Sequence, residues 1–237
     1  MTPLESARAR VEQRIAAACR QAGRARDSVR LVAVSKARSE QEILALHALG
    51  QRQFGENYVQ EFVAKCDALG PSVLDPPPEW HFIGALQGNK TRAVAERAHW
   101  VHSVDRLKIA ERLSMQRPAH LPPLQVCLQV DLSREPGKGG VPEDGLQALA
   151  DATAELPRLV LRGLMTLPAP SDDPAQQQRP FARLRALRDA LNAGGHRLDT
   201  LSMGMSDDLE AAILEGATLV RIGTALFGPR GPQARKP

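Results

Sequence analysis

Residues 31–40 read LVAVSKARSE. Leu31 to Val34 are apolar and β-branched enough for a buried strand, and Ser35 and Lys36 follow at its end. Ser39 then stands three residues ahead of Glu42, the spacing of a capping box that starts a helix. One short stretch therefore carries a strand, a turn and a helix start, which is the unit of a parallel α/β fold. It also sets a lysine at the end of a strand whose sides are apolar.

The same order recurs along the chain. An amphipathic helix over residues 4–22, with Leu4, Ala7, Val11, Ile15 and Ala18 on one face, precedes the first strand. Strands are predicted at Leu31–Ser35, Gln53–Gly55, His81–Gly84, Trp100–Val104, Leu124–Asp131, Val160–Thr166, Leu198–Met203 and Leu219–Gly223. Helices are predicted between them at Glu40–Leu49, Tyr58–Leu69, Asn89–Ala98, Arg106–Met115, Glu143–Leu156, Pro180–Asn192 and Asp208–Glu215, with Pro142 and Pro180 as start signals. Eight strands alternating with helices in 237 residues predict an α/β fold, a single (β/α)8 TIM barrel with an extra N-terminal helix, against a doubly wound open sheet as the competitor. The proline-rich stretches at 69–80 and 167–180 are expected to be exposed loops, and the terminal GPRGPQARKP a frayed tail, disordered over 229–237. None of these is long enough to divide the chain, so one domain over 1–237 is expected.

Composition excludes several classes. With 43% hydrophobic residues the chain can bury a full core, and a net charge of +4 spread over 31 basic and 27 acidic residues gives no nucleic-acid footprint. No apolar run approaches the roughly 18 residues of a membrane span. Cys19, Cys66 and Cys127 form an odd set without CxxC spacing, and the N-terminus lacks the order of a signal peptide, so a soluble cytoplasmic protein is expected. No histidine or cysteine pair has metal spacing, and no metal is expected.

In parallel barrels the chemistry gathers at the C-terminal ends of the strands. There the chain places Ser35 and Lys36, Glu56 and Asn57, Gln87 to Lys90, Asp131, Met165 and Thr166, SMGMSDD (202–208) and VRIGTALFG (220–228). Of the 31 basic residues only 6 are lysines, so Lys36 is informative: in an apolar mouth its amine loses its charge more easily and can attack a carbonyl to form a Schiff base. Ser206, as the expected cap of the helix at Asp208, and Gly223 with Thr224 after the eighth strand form a candidate phosphate site. Asp207 and Asp208 would repel an anion there unless they turn away. His81 reads as a satisfied barrel histidine, and Lys138 in REPGKGG as a loop cation.

Taken in series, AVSK (33–36), FGENYVQE (54–61), WHFIGALQGNK (80–90), GLMTL (163–167), LSMGMSDDLEAAI (201–213) and VRIGTALFG resemble the YggS/PROSC family, the pyridoxal 5′-phosphate homeostasis proteins, which share the fold of the alanine racemase N-terminal domain. Gly88 stands where the commoner pattern has serine. The resemblance implies pyridoxal 5′-phosphate as cofactor, held by Lys36 as a Schiff base, with Ser206, Gly223 and Thr224 on its phosphate. It also implies Arg221 at the pyridine nitrogen and Asn57 and Met205 lining the pocket. A cation at that nitrogen opposes ring protonation and mutes the cofactor. The implied role is buffering or delivery of pyridoxal phosphate to apo-enzymes by a monomer, with no catalytic residue assigned. Tyr58, the only tyrosine, cannot serve as the racemase tyrosine, which comes from a C-terminal domain in those enzymes. A weak amino-acid racemase, and a class I aldolase using Lys36 without cofactor, remain as alternatives.

Overall fold

The computed structural model describes residues 1–132 and 139–229, so Lys138 and most of the expected tail lie outside the described residues. Eight parallel strands close into a barrel in chain order: β1 (Arg30–Val34), β2 (Gln53–Glu56), β3 (Glu79–Phe82), β4 (Trp100–Val104), β5 (Leu124–Gln129), β6 (Leu159–Met165), β7 (Thr200–Ser202) and β8 (Leu219–Ile222), with β8 pairing back onto β1. The (β/α)8 barrel is the predicted fold. The helices are α1 (Pro3–Gln21), α2 (Glu40–Ala48), α3 (Val59–Ala68), α4 (Thr91–Ala95), α5 (Leu107–Gln116), α6 (Leu146–Ala154), α7 (Pro174–Ala193), α8 (Leu209–Leu214) and α9 (Thr224–Phe227).

Strand alternation sorts the side chains into two layers. Leu31, Ala33, Trp80, Phe82, Val101, Leu201, Val220 and Ile222 pack against the helices in one large apolar core. Val32, Trp100, Cys127, Met165 and Leu219 form a separate cluster inside the barrel. Helix α1 buries Ala7, Val11, Ile15 and Ala18, the face its spacing predicts, and packs on α8 and α9. A forked ion pair from Arg14 to Glu210, at 2.6 and 2.8 Å, fixes α1 to α8.

The boundaries depart from expectation where side chains redirect the backbone. The Ser39–Glu42 capping box forms as read, with Glu42 N–H donating to Ser39 Oγ and Ser39 N–H to Glu42 Oε2. Pro180 does not start a helix; it lies inside α7, which begins six residues earlier at Pro174 behind the Asp173 cap. Half of the expected 167–180 loop is therefore helix. β7 starts at Thr200 rather than Leu198, because Leu198 gives both its backbone groups to the side-chain amide of Asn192. Helix α9 was not among the predicted elements; four residues are too few for periodicity to register.

Gly163 in β6 faces the β7 backbone so closely that an added Cβ would lie 1.8 Å from the Thr200 carbonyl oxygen. Backbone cannot yield there as a flexible side chain would. Gly163→Ala is expected to destabilise the fold by about 3 kcal/mol or more, read as a lowered denaturation midpoint; an unchanged midpoint would contradict the packing described.

Candidate functional site

Lys36 leaves the barrel two residues past β1, in a turn in which Ala37 adopts φ +57°. That left-handed conformation costs an alanine about 1 kcal/mol, so the surroundings must hold it. They do so from both sides of Lys36. The Lys65 ammonium donates to the Ser35 carbonyl at 2.7 Å, and Glu61 Oε2 accepts the Ala37 N–H at 2.7 Å. Behind them Lys65 also donates to Glu56 Oε1 at 2.8 Å and Glu61 Oε2 at 3.3 Å, and the Ser35 hydroxyl donates to Glu56 Oε1 at 2.6 Å. Burial pushes the Glu56 carboxyl up, opposed by Lys65 and Ser35. The sequence places Ser35 and Glu56 at the barrel mouth without a role, and it gives no signal for Glu61 or Lys65, which sit in and just after FGENYVQE.

Asn57 follows β2 and packs against the end of β3. Gly84 is required there, since a Cβ would fall 2.0 Å from the Asn57 carbonyl oxygen. The Asn57 side-chain oxygen is buried and has no hydrogen-bond partner among the described residues. Arg221 rises from β8 into the same space. Its Nη1 donates to Ser202 Oγ at 2.7 Å and its Nη2 to the Thr166 carbonyl at 3.0 Å. Burial lowers this guanidinium to about 10, against the pull of Asp208, and leaves it a cation at neutral pH.

The loops after β7 and β8 complete the site. Ser206 is not a helix cap: Asp208 is the residue ahead of α8, and Ser206 Oγ instead accepts the Ala225 N–H at 3.2 Å. That bond ties the β7 loop to the turn carrying Gly223 and Thr224. The Asp208 carboxylate turns back onto its own loop, accepting the Met205 N–H at 2.5 Å, while Asp207 reaches the site. A Cβ at Gly223 would meet nothing nearer than Val34 at 3.5 Å. The fold therefore does not demand glycine there, and the residue lines the cavity without a side chain.

All seven predicted residues meet: Lys36, Asn57, Met205, Ser206, Arg221, Gly223 and Thr224 line one cavity of about 270 Å³, walled by Val34, Ile83 and Leu167. That is at the small end of small-molecule sites, roughly 300–1,000 Å³. A larger hollow of about 600 Å³ lies outside, between α1, α2 and α9, and shares only Thr224 with this site. Converging polar groups, not volume, single out the smaller one. Gln87 to Lys90 do not line it, and Tyr58 is 43% exposed and does not line it either. Among the described residues no cluster of histidine, cysteine, aspartate or glutamate could hold a metal ion, and no helix is long and apolar enough to cross a membrane.

His81 differs from its reading. Its Nδ1 shares a 2.9 Å hydrogen bond with His102 Nε2, but its buried Nε2 has no hydrogen-bond partner among the described residues. It is half satisfied. Burial first, and then neighbouring cationic groups, hold both imidazoles well below the usual histidine range.

Two outcomes follow from this chemistry. Lys65→Met leaves Glu56 and Glu61 without their shared cation and is expected to cost about 3–5 kcal/mol in denaturant unfolding; a cost below 1 kcal/mol would show the clamp to be incidental. His81 and His102 stay neutral when folded but take up protons below pH 6.5 when unfolded, so the unfolded chain binds more protons in acid. Stability is therefore full above that pH and falls below it by about 1.4 kcal/mol per pH unit for each ring. His102→Phe should make the decline between pH 6 and 5 shallower by one such increment in urea titrations, and an unchanged slope would contradict the assignment.

Comparison with known proteins agrees with this geometry. The family model described as the alanine racemase N-terminal domain matches residues 8–231. The pyridoxal phosphate homeostasis protein of Pseudomonas aeruginosa is 58% identical over 222 residues, 94% of each chain, and that of Escherichia coli K12 is 49% identical over 225 residues, again 94% of each. Among solved structures, PipY of Synechococcus elongatus, with PLP bound, superposes with a TM-score of 0.81 at 38% identity, covering 92% of this chain and all of that one. The chain belongs to the pyridoxal phosphate homeostasis protein family, built on the alanine racemase N-terminal domain.

Proposed function

We propose that this chain binds pyridoxal 5′-phosphate in the cavity beside Lys36 and acts in the cytoplasm in the homeostasis of that cofactor. It holds the cofactor reversibly as a Schiff base on Lys36 and buffers it or passes it, as a monomer, to apo-enzymes. The observation that carries this reading is the convergence of one lysine amine, one buried arginine and the Ser206, Gly223 and Thr224 loops on a single small cavity. The names of the relatives and the PLP-bound PipY neighbour support the same cofactor.

The residues present fit the group. Pyridoxal phosphate supplies an aldehyde that condenses with an amine and a ring that can accept an electron pair. In this reading the Lys36 amine is the nucleophile, and the clamp on Ser35 and Ala37 fixes the backbone from which it reaches. Ser206 and Thr224 offer hydroxyls, and Gly223 an uncovered backbone, to the dianionic phosphate. The Asn57 oxygen, without a hydrogen-bond partner among the described residues, offers a buried acceptor on the cavity wall. Arg221 stays cationic and opposes protonation of a ring nitrogen beside it. Such a site favours holding the cofactor over using it as an electron sink. Among the described residues, the titratable groups that line the cavity are Lys36, Asp207 and Arg221, so a bound amino acid would meet one amine base.

The test is the absorbance of the purified protein with added pyridoxal phosphate, followed by borohydride reduction and peptide mapping. Wild type is expected to turn yellow and to carry the reduced adduct on Lys36. Lys36→Ala is expected to lose both while keeping its denaturation midpoint. A full-strength adduct on another lysine of Lys36→Ala would falsify the assignment.

A further inference from the structure

Inside the barrel runs a row of hydrogen bonds that cofactor attachment does not need. Arg221 Nη1 donates to Ser202 Oγ at 2.7 Å, Ser202 Oγ lies 2.7 Å from His102 Nδ1, and His102 Nε2 lies 2.9 Å from His81 Nδ1. His81 Nε2 ends the row, 3.6 Å from Glu79 Oε1 and without a hydrogen bond among the described residues. The members come from β8, β7, β4 and β3. Because β4 and β7 are not neighbours in the barrel, the contact between His102 and Ser202 must cross the lumen. All four side chains are buried.

Counting protons gives the row a direction. An arginine only donates, so Ser202 Oγ spends a lone pair on Arg221. Its single proton has one acceptor among the described residues, His102 Nδ1. His102 therefore keeps its proton on Nε2 and gives it to His81 Nδ1, and His81 keeps its own on Nε2, facing Glu79. Every proton in the row points away from Arg221, and every lone pair points toward it.

The consequence concerns charge. Among the described residues no carboxylate hydrogen-bonds Arg221; its acceptors are a hydroxyl and the Thr166 carbonyl. A carboxylate in the place of Ser202 would orient the guanidinium equally well but would neutralise it. The charged and titratable groups that act on Arg221 are Asp208 and Cys127, those on His102 are Arg221 and Arg30, and those on His81 are His102, Arg30, His99 and Glu79.

We propose that Ser202 and His102 are positioning residues for Arg221: the neutral, one-directional row holds the guanidinium in place without cancelling its charge, so that the full cation faces the cavity. This rests on the pyridoxal phosphate reading of that cavity, in which the cation sets the basicity of the ring nitrogen.

The test has two arms. In the first, ¹⁵N histidine spectra of the ligand-free protein are expected to show His102 and His81 neutral and protonated on Nε2 from pH 5 to 8. A proton on His102 Nδ1 would overturn the row. In the second, Ser202→Ala is expected to keep the borohydride-trapped adduct on Lys36 while the absorbance of the bound cofactor titrates at about tenfold lower proton concentration, because a loosened cation opposes ring protonation less. Ser202→Thr, which keeps the hydroxyl, should return the wild-type profile, and His102→Phe should shift it in the same direction as Ser202→Ala. If Ser202→Ala and His102→Phe both titrate as wild type and lose only thermal stability, the row is structural and the proposal fails. Wild-type protein that takes up no cofactor would instead defeat the functional reading, and the histidine spectra then decide the row on their own.

Discussion

Much of this molecule depends on the Lys65 ammonium being buried between two carboxylates and a carbonyl. A lone ammonium in that position would be too costly to keep charged, and Glu56 and Glu61 without it would repel each other. Together the three groups grip Ser35 and Ala37, the residues on either side of Lys36, and hold a left-handed alanine between β1 and α2. The amine of Lys36 therefore starts from a fixed backbone. Two lysines with opposite tasks stand close in the fold: Lys65 is spent on its partners Ser35, Glu56 and Glu61, while Lys36 projects to a cavity.

The barrel supplies the opposite wall. Closing eight strands in chain order brings β8 beside β1, so that residues near position 36 and residues 221–224 share a mouth. The Ser206 to Ala225 hydrogen bond then joins the two loops after β7 and β8 into one surface. Arg221 enters between them on neutral acceptors, and the polar groups behind it occupy a lumen that branched apolar side chains usually fill. Neutral buried histidines make that interior acid-sensitive, a cost that an apolar interior would not carry.

The fold was legible because its signal is repetitive. Eight apolar runs with helical patterns between them fix a barrel even when single boundaries shift, as at Leu198 and Pro180. The seven cavity residues were legible because each stands at a strand end, where topology alone sends it to one face, and because their motifs resemble those of a known family. What stayed hidden depends on pairing in space. Lys65 looks like an ordinary helical lysine until its neighbours are known, and nothing in sequence spacing links Ser202 on β7 to His102 on β4. Ser206 lines the cavity but bonds Ala225 rather than capping α8, since a cap and a bond between loops draw on the same residue type.

In the proposed function a nucleophilic amine and an anion-binding surface face one another across a single small chamber. A crystal structure of the protein grown with pyridoxal phosphate tests it most directly. Electron density is expected to run continuously from Lys36 Nζ into the ring, with the phosphate against Ser206, Gly223 and Thr224 and Arg221 at the ring nitrogen. Density for the cofactor in the outer hollow between α1 and α9, with Lys36 unmodified, would contradict it.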